Sequence, residues 1–432
     1  MSKNVKIVQF GEGNFLRAFV DWMMLPDTVA VVKPRPGAGL ERLTAHGCRY
    51  EVCLQGQLDG QLVDTTEQVC SIACAINPYE DVEAFWELAV NPQVEFVISN
   101  TTEAGIVFDP SCRLSDAPAL SYPGKLVQFL YKRYKGLVQN ATEAGQFGVT
   151  ILPCELIFHN GKHLKECMHQ YMELWQLPED FRAWADACCP VYNTLVDRIV
   201  PGGPDYYKVV AEPYHLWVIE GPEVLRERLP LRSGELNLVL TADENPYHLR
   251  KVTLLNGPHT AMSAVGHLAG LETVRECMLH PVVGKYVERV MMQELLPTVP
   301  LPEAEMLKFA ESVKDRFLNP FVKHALTSIM LNNISKFVTR DLPAMRWHFS
   351  NSGILPQGLV IALAANLICA EIGADGDLAK VTDAEGFASK LASGLADAQV
   401  WGADLTAEMP GLREQVESFI CRIVKEGMLS VL

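Results

Sequence analysis

The N-terminal stretch leaves the chain little freedom of fold. An apolar run, VKIVQF (5–10), leads directly into Gly11-Glu12-Gly13 and then NFLRAFVDWMM (14–24), where Phe15, Phe19 and Trp22 recur at three- and four-residue intervals. That spacing is helical. A second β-branched run, TVAVVKP (28–34), follows between prolines. Strand, glycine turn, helix and strand make a β-α-β unit, and its two strands must lie parallel.

The pattern continues. YEVCLQG (50–56) and QLVDTTEQV (61–69) read as a hairpin around Asp59-Gly60. VEFVISNTT (94–102) and GVTILPCEL (148–156) read as buried strands, with helices over 80–90 and 123–135. Strands alternating with helices to about residue 240 predict an α/β, Rossmann-like doubly wound sheet. After Asn245 the periodicity becomes helical throughout, as in TAMSAVGHLAG and QGLVIALAANLICAEIG. A chain of 432 residues exceeds the ~250–300 at which one core stops growing. Two domains are expected: a Rossmann-like dinucleotide-binding domain, 1–245, and a mainly α-helical substrate domain, 246–432. The crevice between two such domains is the expected ligand site.

The net charge of −15 argues against nucleic acid as a partner. No apolar stretch reaches the ~18–20 residues of a membrane helix, so no membrane association is expected. The first residues, MSKNVKIVQFGEG, lack a secretory signal pattern, and a cytoplasmic enzyme is the expectation. Twelve scattered cysteines contain no CxxC pair, which predicts reduced thiols and no metal site.

The glycine turn matches the first two positions of GxGxxG, with Leu16 at the third. Such a turn lets pyrophosphate approach backbone N–H groups at a helix start; a plain βα turn is the alternative. The second strand ends VVKPRP, without the acid that holds a ribose 2′-hydroxyl. Lys33 and Arg35 stand there instead and would admit a 2′-phosphate, so NADP is not excluded beside NAD.

In KVTLLNGPHT, Lys251, Asn256 and His259 fall on one broad helical face. At ~100° per residue Asn256 lies ~140° and His259 ~80° from Lys251. Pro258 should bend the helix locally. A desolvated lysine can shuttle a proton near neutrality, and Asn256 can donate to a developing alkoxide. A solvated face with a backbone-satisfied histidine is the alternative.

The chain resembles the polyol-specific long-chain dehydrogenases, which include the mannitol dehydrogenases. FGEGNFLRAF resembles their GxGxFxRA opening, and NPQVEFVISNTTEAGI (91–106) their T-x-TE-x-G stretch. NTLVDRIVP (193–201), EPYHLWVIE (212–220) and the K-x4-N-x2-H set resemble three further family motifs, in order along the chain. The resemblance implies Lys251 as general acid/base, Asn256 as polariser of the reacting oxygen and His259 as a substrate contact, without a metal. It implies cofactor contacts at Phe10, Gly11, Gly13, Asn14, Phe15, Arg17, Asn100, Thr101, Thr102 and Glu103, and substrate contacts at Asn193, Asp197 and Arg198. NAD is the cofactor it favours.

Where the mannitol enzymes carry an Asp-Asn pair before an Asn-Gly, this chain has Glu155-Leu156, which argues against a plain polyol. The details are closest to the branch that interconverts a hexonate and a keto-uronate. A small acidic sugar needs a cation for its carboxylate. Arg316, Lys323, His324, Lys336 and Arg340 are the candidates, with Arg316, His324 and Lys336 preferred and solvated surface charge the alternative for each. Tyr131 and Lys135 share a YxxxK spacing, read as incidental on an amphipathic helix.

Overall fold

The computed structural model describes residues 4–139, 141, 144–373 and 377–432. The chain forms two compact units, one of residues 1–55 and 63–244, the other of 56–62 and 245–432.

The first unit is built on a five-stranded parallel sheet. In chain order the strands are β1 (Ile7–Phe10), β2 (Val29–Val32), β3 (Tyr50–Leu58), β4 (Gln61–Val69), β5 (Ile72–Ile76), β6 (Phe96–Ser99), β7 (Thr150–Pro153), β8 (Thr194–Asp197), β9 (Gly202–Asp205), β10 (Lys208–Ala211), β11 (Leu216–Glu220) and β12 (Leu238–Thr241). The sheet runs β5-β2-β1-β6-β7, with Ile7 opposite both Val29 and Phe96. Both of its faces are buried, as a parallel sheet requires. Val8, Phe10, Ala30, Val32, Val97 and Ile151 point into one apolar cluster. Ile7, Val29, Val31, Phe96, Ile98 and Leu152 point into the other. Strict alternation along each strand thus builds both layers of core.

The doubly wound sheet ends at β7, short of the expected limit near residue 240, although β10 still pairs with β3 and β12 with β11 in parallel. Two further sheets follow, β4-β3-β10-β9 and β12-β11-β8. β8 pairs with β11 antiparallel, so this region is not a further turn of the doubly wound pattern. The hairpin turn is as expected: Asp59 and Gly60 both have positive φ, 51° and 72°, which suits a two-residue turn.

The expected helix over 14–24 is broken into Asn14–Arg17 and Val20–Met23. The carbonyls at the break are taken by tertiary donors. Tyr50 Oη donates to Arg17 O at 2.8 Å and Arg198 Nη1 to Ala18 O at 2.7 Å.

The second unit is helical. Residues 245–268 run as α-helix Asn245–Arg250, a π turn Lys251–Asn256, and α-helix Gly257–Leu268. Against this spine pack helices that include Asn333–Arg340 and Gln357–Ile372. Glu294 caps the latter, accepting from Gly358 N–H and Leu359 N–H at 2.8 Å each. The tip of the β3–β4 hairpin belongs to this unit, and Gly60 N–H donates to Asp315 Oδ2 at 3.0 Å. Among the described residues no helix is long and apolar enough to cross a membrane.

Candidate active site

The π turn changes the phase on which the lysine–asparagine–histidine reading was based. In an α-helix Lys251 and Asn256 would diverge by ~140°. In a π turn the hydrogen bonds run from i to i+5, so residues five apart lie nearer to one face than they would in an α-helix. Lys251 opens this turn and Asn256 closes it. The disturbance lies one turn before Pro258, which has no N–H to offer the preceding turn. Lys251 and Asn256 are both half-buried, and His259 is buried.

His259 sits between aromatic rings and within reach of two arginines. Its ring centroid is 4.3 Å from that of Phe317 and 4.9 Å from that of His324. Burial holds its pKa well below the usual histidine value, and His324, Arg316 and Arg340 push it the same way. The imidazole is therefore neutral. One nitrogen bonds the Leu255 carbonyl; Nε2 is buried and has no hydrogen-bond partner in the protein. With the proton on the nitrogen that faces a carbonyl, Nε2 is a bare acceptor aimed at whatever binds there.

Arg340 Nη1 donates to Thr260 Oγ1 at 3.1 Å, tying it to the residue after His259. Arg316 is buried near the end of the helix Glu303–Phe317. Three of the five candidates, Arg316, His324 and Arg340, therefore lie close enough to act on His259, and burial lowers the pKa of His324, which leaves the fixed charge on the two arginines. Lys336 is engaged by the Ile329 carbonyl at 2.7 Å, and burial and Arg340 both lower its pKa. Lys323 is exposed and faces Glu272 at 3.6 Å. Nothing in the sequence around Arg340 sets it above Lys336. The link of Arg340 through Thr260 could be found only in three dimensions. Beneath the turn lies Asp341, fully buried, with neither carboxyl oxygen partnered in the protein; burial pushes its pKa well up.

In the first unit the glycine turn is tightly built. Gly11 has φ 127°, and a Cβ there would stand 2.8 Å from Asn100 O and 2.9 Å from Leu16 Cδ1. A Cβ on Gly13 would meet nothing within 4 Å. The turn is thus closed behind and open in front. Beside it lies a cavity of about 560 Å³ lined by residues that include Arg35, Thr101, Ser121 and Tyr122. This fits a dinucleotide, whose pyrophosphate needs the open backbone and whose adenosine needs the hollow.

The other expected cofactor residues divide. Phe10 is buried, with its ring centroid 5.0 Å from that of Tyr122, and Phe15 stacks on Phe19 at 4.9 Å. Asn14 opens the short helix Asn14–Arg17 and is exposed. Asn100 Nδ2 donates to Cys154 O at 2.9 Å, while Thr102 and Glu103 are exposed. Thr102 has φ 73° and ψ 167°, a strained conformation for a β-branched residue and one that clusters at ligand sites.

Two arginines of the expected sites are held by groups of the first unit itself. Arg17, an expected cofactor contact, has its guanidinium between the rings of Tyr50 and Tyr206, 4.2 Å from each centroid; it donates to Tyr206 O at 2.6 Å, while Nε and Nη1 are buried without a partner in the protein. Arg198 was read as a substrate contact. It donates to Glu212 O and Ala18 O and lies over Trp22, with burial lowering its pKa to about 10. Both act as buried braces of the first unit. Their sequence neighbourhoods gave no sign of the aromatic partners.

Asp197 is buried at the end of β8, and Asn193 Oδ1 accepts from Lys162 N–H at 3.0 Å. Lys33, read as a partner for a 2′-phosphate, is instead paired with Glu12 at 2.7 Å.

Glu155, which the sequence marks only as a departure from the mannitol-enzyme pattern, is a buried hub of hydrogen bonds. It accepts from Ser99 Oγ (3.0 Å), Thr101 N–H (2.9 Å) and Thr101 Oγ1 (3.0 Å), pinning the loop after β6. Burial raises its pKa against these donors. Among the described residues no group of three or more His, Cys, Asp or Glu is placed to hold a metal.

The two halves of this arrangement match two family models. The mannitol dehydrogenase Rossmann domain covers residues 5–233 and the mannitol dehydrogenase C-terminal domain covers 243–411. An altronate oxidoreductase of Phocaeicola vulgatus is 46% identical over 98% of this chain and 95% of its own. One of Bacillus subtilis is 38% identical over 98% and 93%. Among solved structures, substrate-free D-sorbitol dehydrogenase superposes with TM-score 0.78 at 19% identity, covering 99% of this chain and 95% of its own. Mannitol 2-dehydrogenase of Pseudomonas fluorescens, in a ternary complex with NAD and D-mannitol, gives 0.64 at 19%, covering 99% and 93%. The two models together span most of the chain, the altronate oxidoreductases are 38–46% identical over nearly all of it, and the chain belongs to the mannitol dehydrogenase family.

Proposed function

We propose that the chain is an NAD-dependent oxidoreductase that interconverts D-altronate and D-tagaturonate. The observation that carries this reading is the convergence of Arg316, His324 and Arg340 on His259, one turn beyond the π turn of Lys251 and Asn256. A plain polyol has no charge to reward such a cluster. A hexonate has one carboxylate, which a planar guanidinium binds best.

Bound NAD would accept or return the hydride. Lys251 removes the proton from the substrate hydroxyl during oxidation and restores it during reduction. Asn256 donates a hydrogen bond to the same oxygen as it gains negative charge. His259 Nε2, an unpartnered acceptor, takes a hydrogen bond from a neighbouring substrate hydroxyl and fixes which carbon reacts. The relatives named altronate oxidoreductase support the choice of substrate.

The test is the loss of NADH absorbance with tagaturonate, fructuronate and fructose as parallel substrates. Tagaturonate should give the highest kcat/KM and fructose the lowest. Faster turnover of fructuronate would move the assignment to the isomeric keto-uronate, and turnover of fructose alone would overturn the acidic substrate.

A further inference from the structure

The salt bridge between Lys33 Nζ and Glu12 Oε1, 2.7 Å long, joins two places that matter for a dinucleotide. Glu12 stands between the two glycines of the turn after β1. Lys33 is the residue directly after β2. In sheets of this kind the adenosine ribose lies beyond the end of the second strand, where an acidic side chain accepts its 2′-hydroxyl. Here that position is a lysine.

The lysine is committed. Its side chain is 7% exposed, that of Glu12 23%. The ammonium is turned inward, and the carboxylate keeps an open edge. Glu41, which accepts from Gly39 N–H at 2.6 Å, adds a second negative charge close enough to act with Lys33. One buried cation therefore faces two carboxylates. Further cations nearby include Arg42, which also acts on Glu41, and Arg35 on the rim of the cavity; both are exposed, where a lone charge contributes little.

We infer that Glu12, delivered from the glycine turn and tethered by Lys33, replaces the acid missing after β2, so that it accepts the ribose 2′-hydroxyl of NAD and disfavours the 2′-phosphate of NADP. The inference rests on the oxidoreductase reading above. A carboxylate with one oxygen on Lys33 has a second to accept an O–H. A phosphate has no such proton to offer. It would have to displace Glu12 from the ion pair or sit beside two like charges.

Equilibrium binding of NADH and NADPH to the full chain, without sugar, tests this by calorimetry or nucleotide fluorescence. The unaltered protein should bind NADH more tightly, by about tenfold or more. Glu12→Gln keeps the shape and removes the charge, so it should weaken NADH and strengthen NADPH, shrinking the ratio by about tenfold. Lys33→Met removes the tether and should weaken NADH without a selective loss of NADPH. An unchanged ratio in folded Glu12→Gln, a selective loss of NADPH in Lys33→Met, or a preference for NADPH in the unaltered protein overturns the inference. Should Glu12→Gln fail to fold, the lysine variant decides alone. Failure of the unaltered chain to bind either nucleotide overturns the oxidoreductase reading instead.

Discussion

The imidazole of His259 meets that of His324 edge-on, with centroids 4.9 Å apart and planes at 65°. Two histidines this close, with Arg316 and Arg340 adding their charge, cannot both be protonated at low cost. The arrangement keeps His259 neutral and leaves the fixed charge on the arginines. A neutral acceptor beside fixed cations suits a substrate that is a hydroxyl-bearing chain with an acidic end.

Lys251→Met should abolish proton transfer and leave the nucleotide site untouched. We expect kcat to fall by about 10²–10⁴-fold, the usual range for a lost general acid/base. The Kd for NADH should stay within about twofold of the unaltered value, a shift well under 1 kcal/mol. Stopped-flow oxidation of NADH and separate binding titrations check the two halves. Retained turnover would remove the lysine from the mechanism.

Arg316→Gln should act on the sugar acid. The KM for tagaturonate should rise by about 10–100-fold, the worth of a lost charge-assisted hydrogen bond, with little change in the KM for NADH. Steady-state kinetics with each substrate varied in turn separates the effects. Equal losses for tagaturonate and for an uncharged ketose would show that Arg316 does not hold the carboxylate.

Glu155→Gln removes an acceptor from a carboxylate that takes three hydrogen bonds from the loop after β6. One donor is left short, at a cost of about 1–3 kcal/mol. NADH affinity should fall while kcat at saturating nucleotide is nearly preserved. Thermal melting reads the first effect and the split between KM and kcat the second. A loss of stability with an unaltered KM for NADH would reduce Glu155 to a structural role.

Gly11→Ala places a Cβ 2.8 Å from Asn100 O on a residue with φ 127°. The strain should cost about 1–3 kcal/mol and displace Asn100 from the turn. Both the melting temperature and NADH affinity should drop. Gly13→Ala, whose Cβ meets open space, should melt like the unaltered protein yet still weaken NADH.

Stability should depend on pH through His259. Its pKa in the folded chain is depressed below the ordinary 6.5, so the unfolded chain takes up the proton first. The contribution is complete above about pH 6.5 and is lost as pH falls below it, by up to about 1.4 kcal/mol per pH unit. Buried carboxyls such as Glu155 and Asp341, with raised pKa values, trend the opposite way. The difference between unaltered protein and His259→Gln, from denaturant melts across the acid range, isolates the histidine. A pH-independent difference would mean that His259 titrates alike in the folded and unfolded chain, and a difference that grows as pH falls would mean that its folded pKa is raised.

What the sequence determined by itself is what near neighbours in the chain control. The alternation that buries both faces of β1, β2 and β6, the glycine turn, the positive φ at Asp59-Gly60 and the change to helical periodicity after Asn245 all follow from residues a few positions apart. The lysine, asparagine and histidine were legible for the same reason, though not their phase, because the count assumed an α-helix and the backbone makes a π turn. Only the tertiary structure decided which charges meet. Arg17 and Arg198 are held by Tyr206 and Glu212, partners that come from segments far along the chain from each arginine or from its other contacts. Lys33 looked like a phosphate site and is bound to Glu12. A charged side chain is long enough to reach several neighbours, and the choice among them is made by packing.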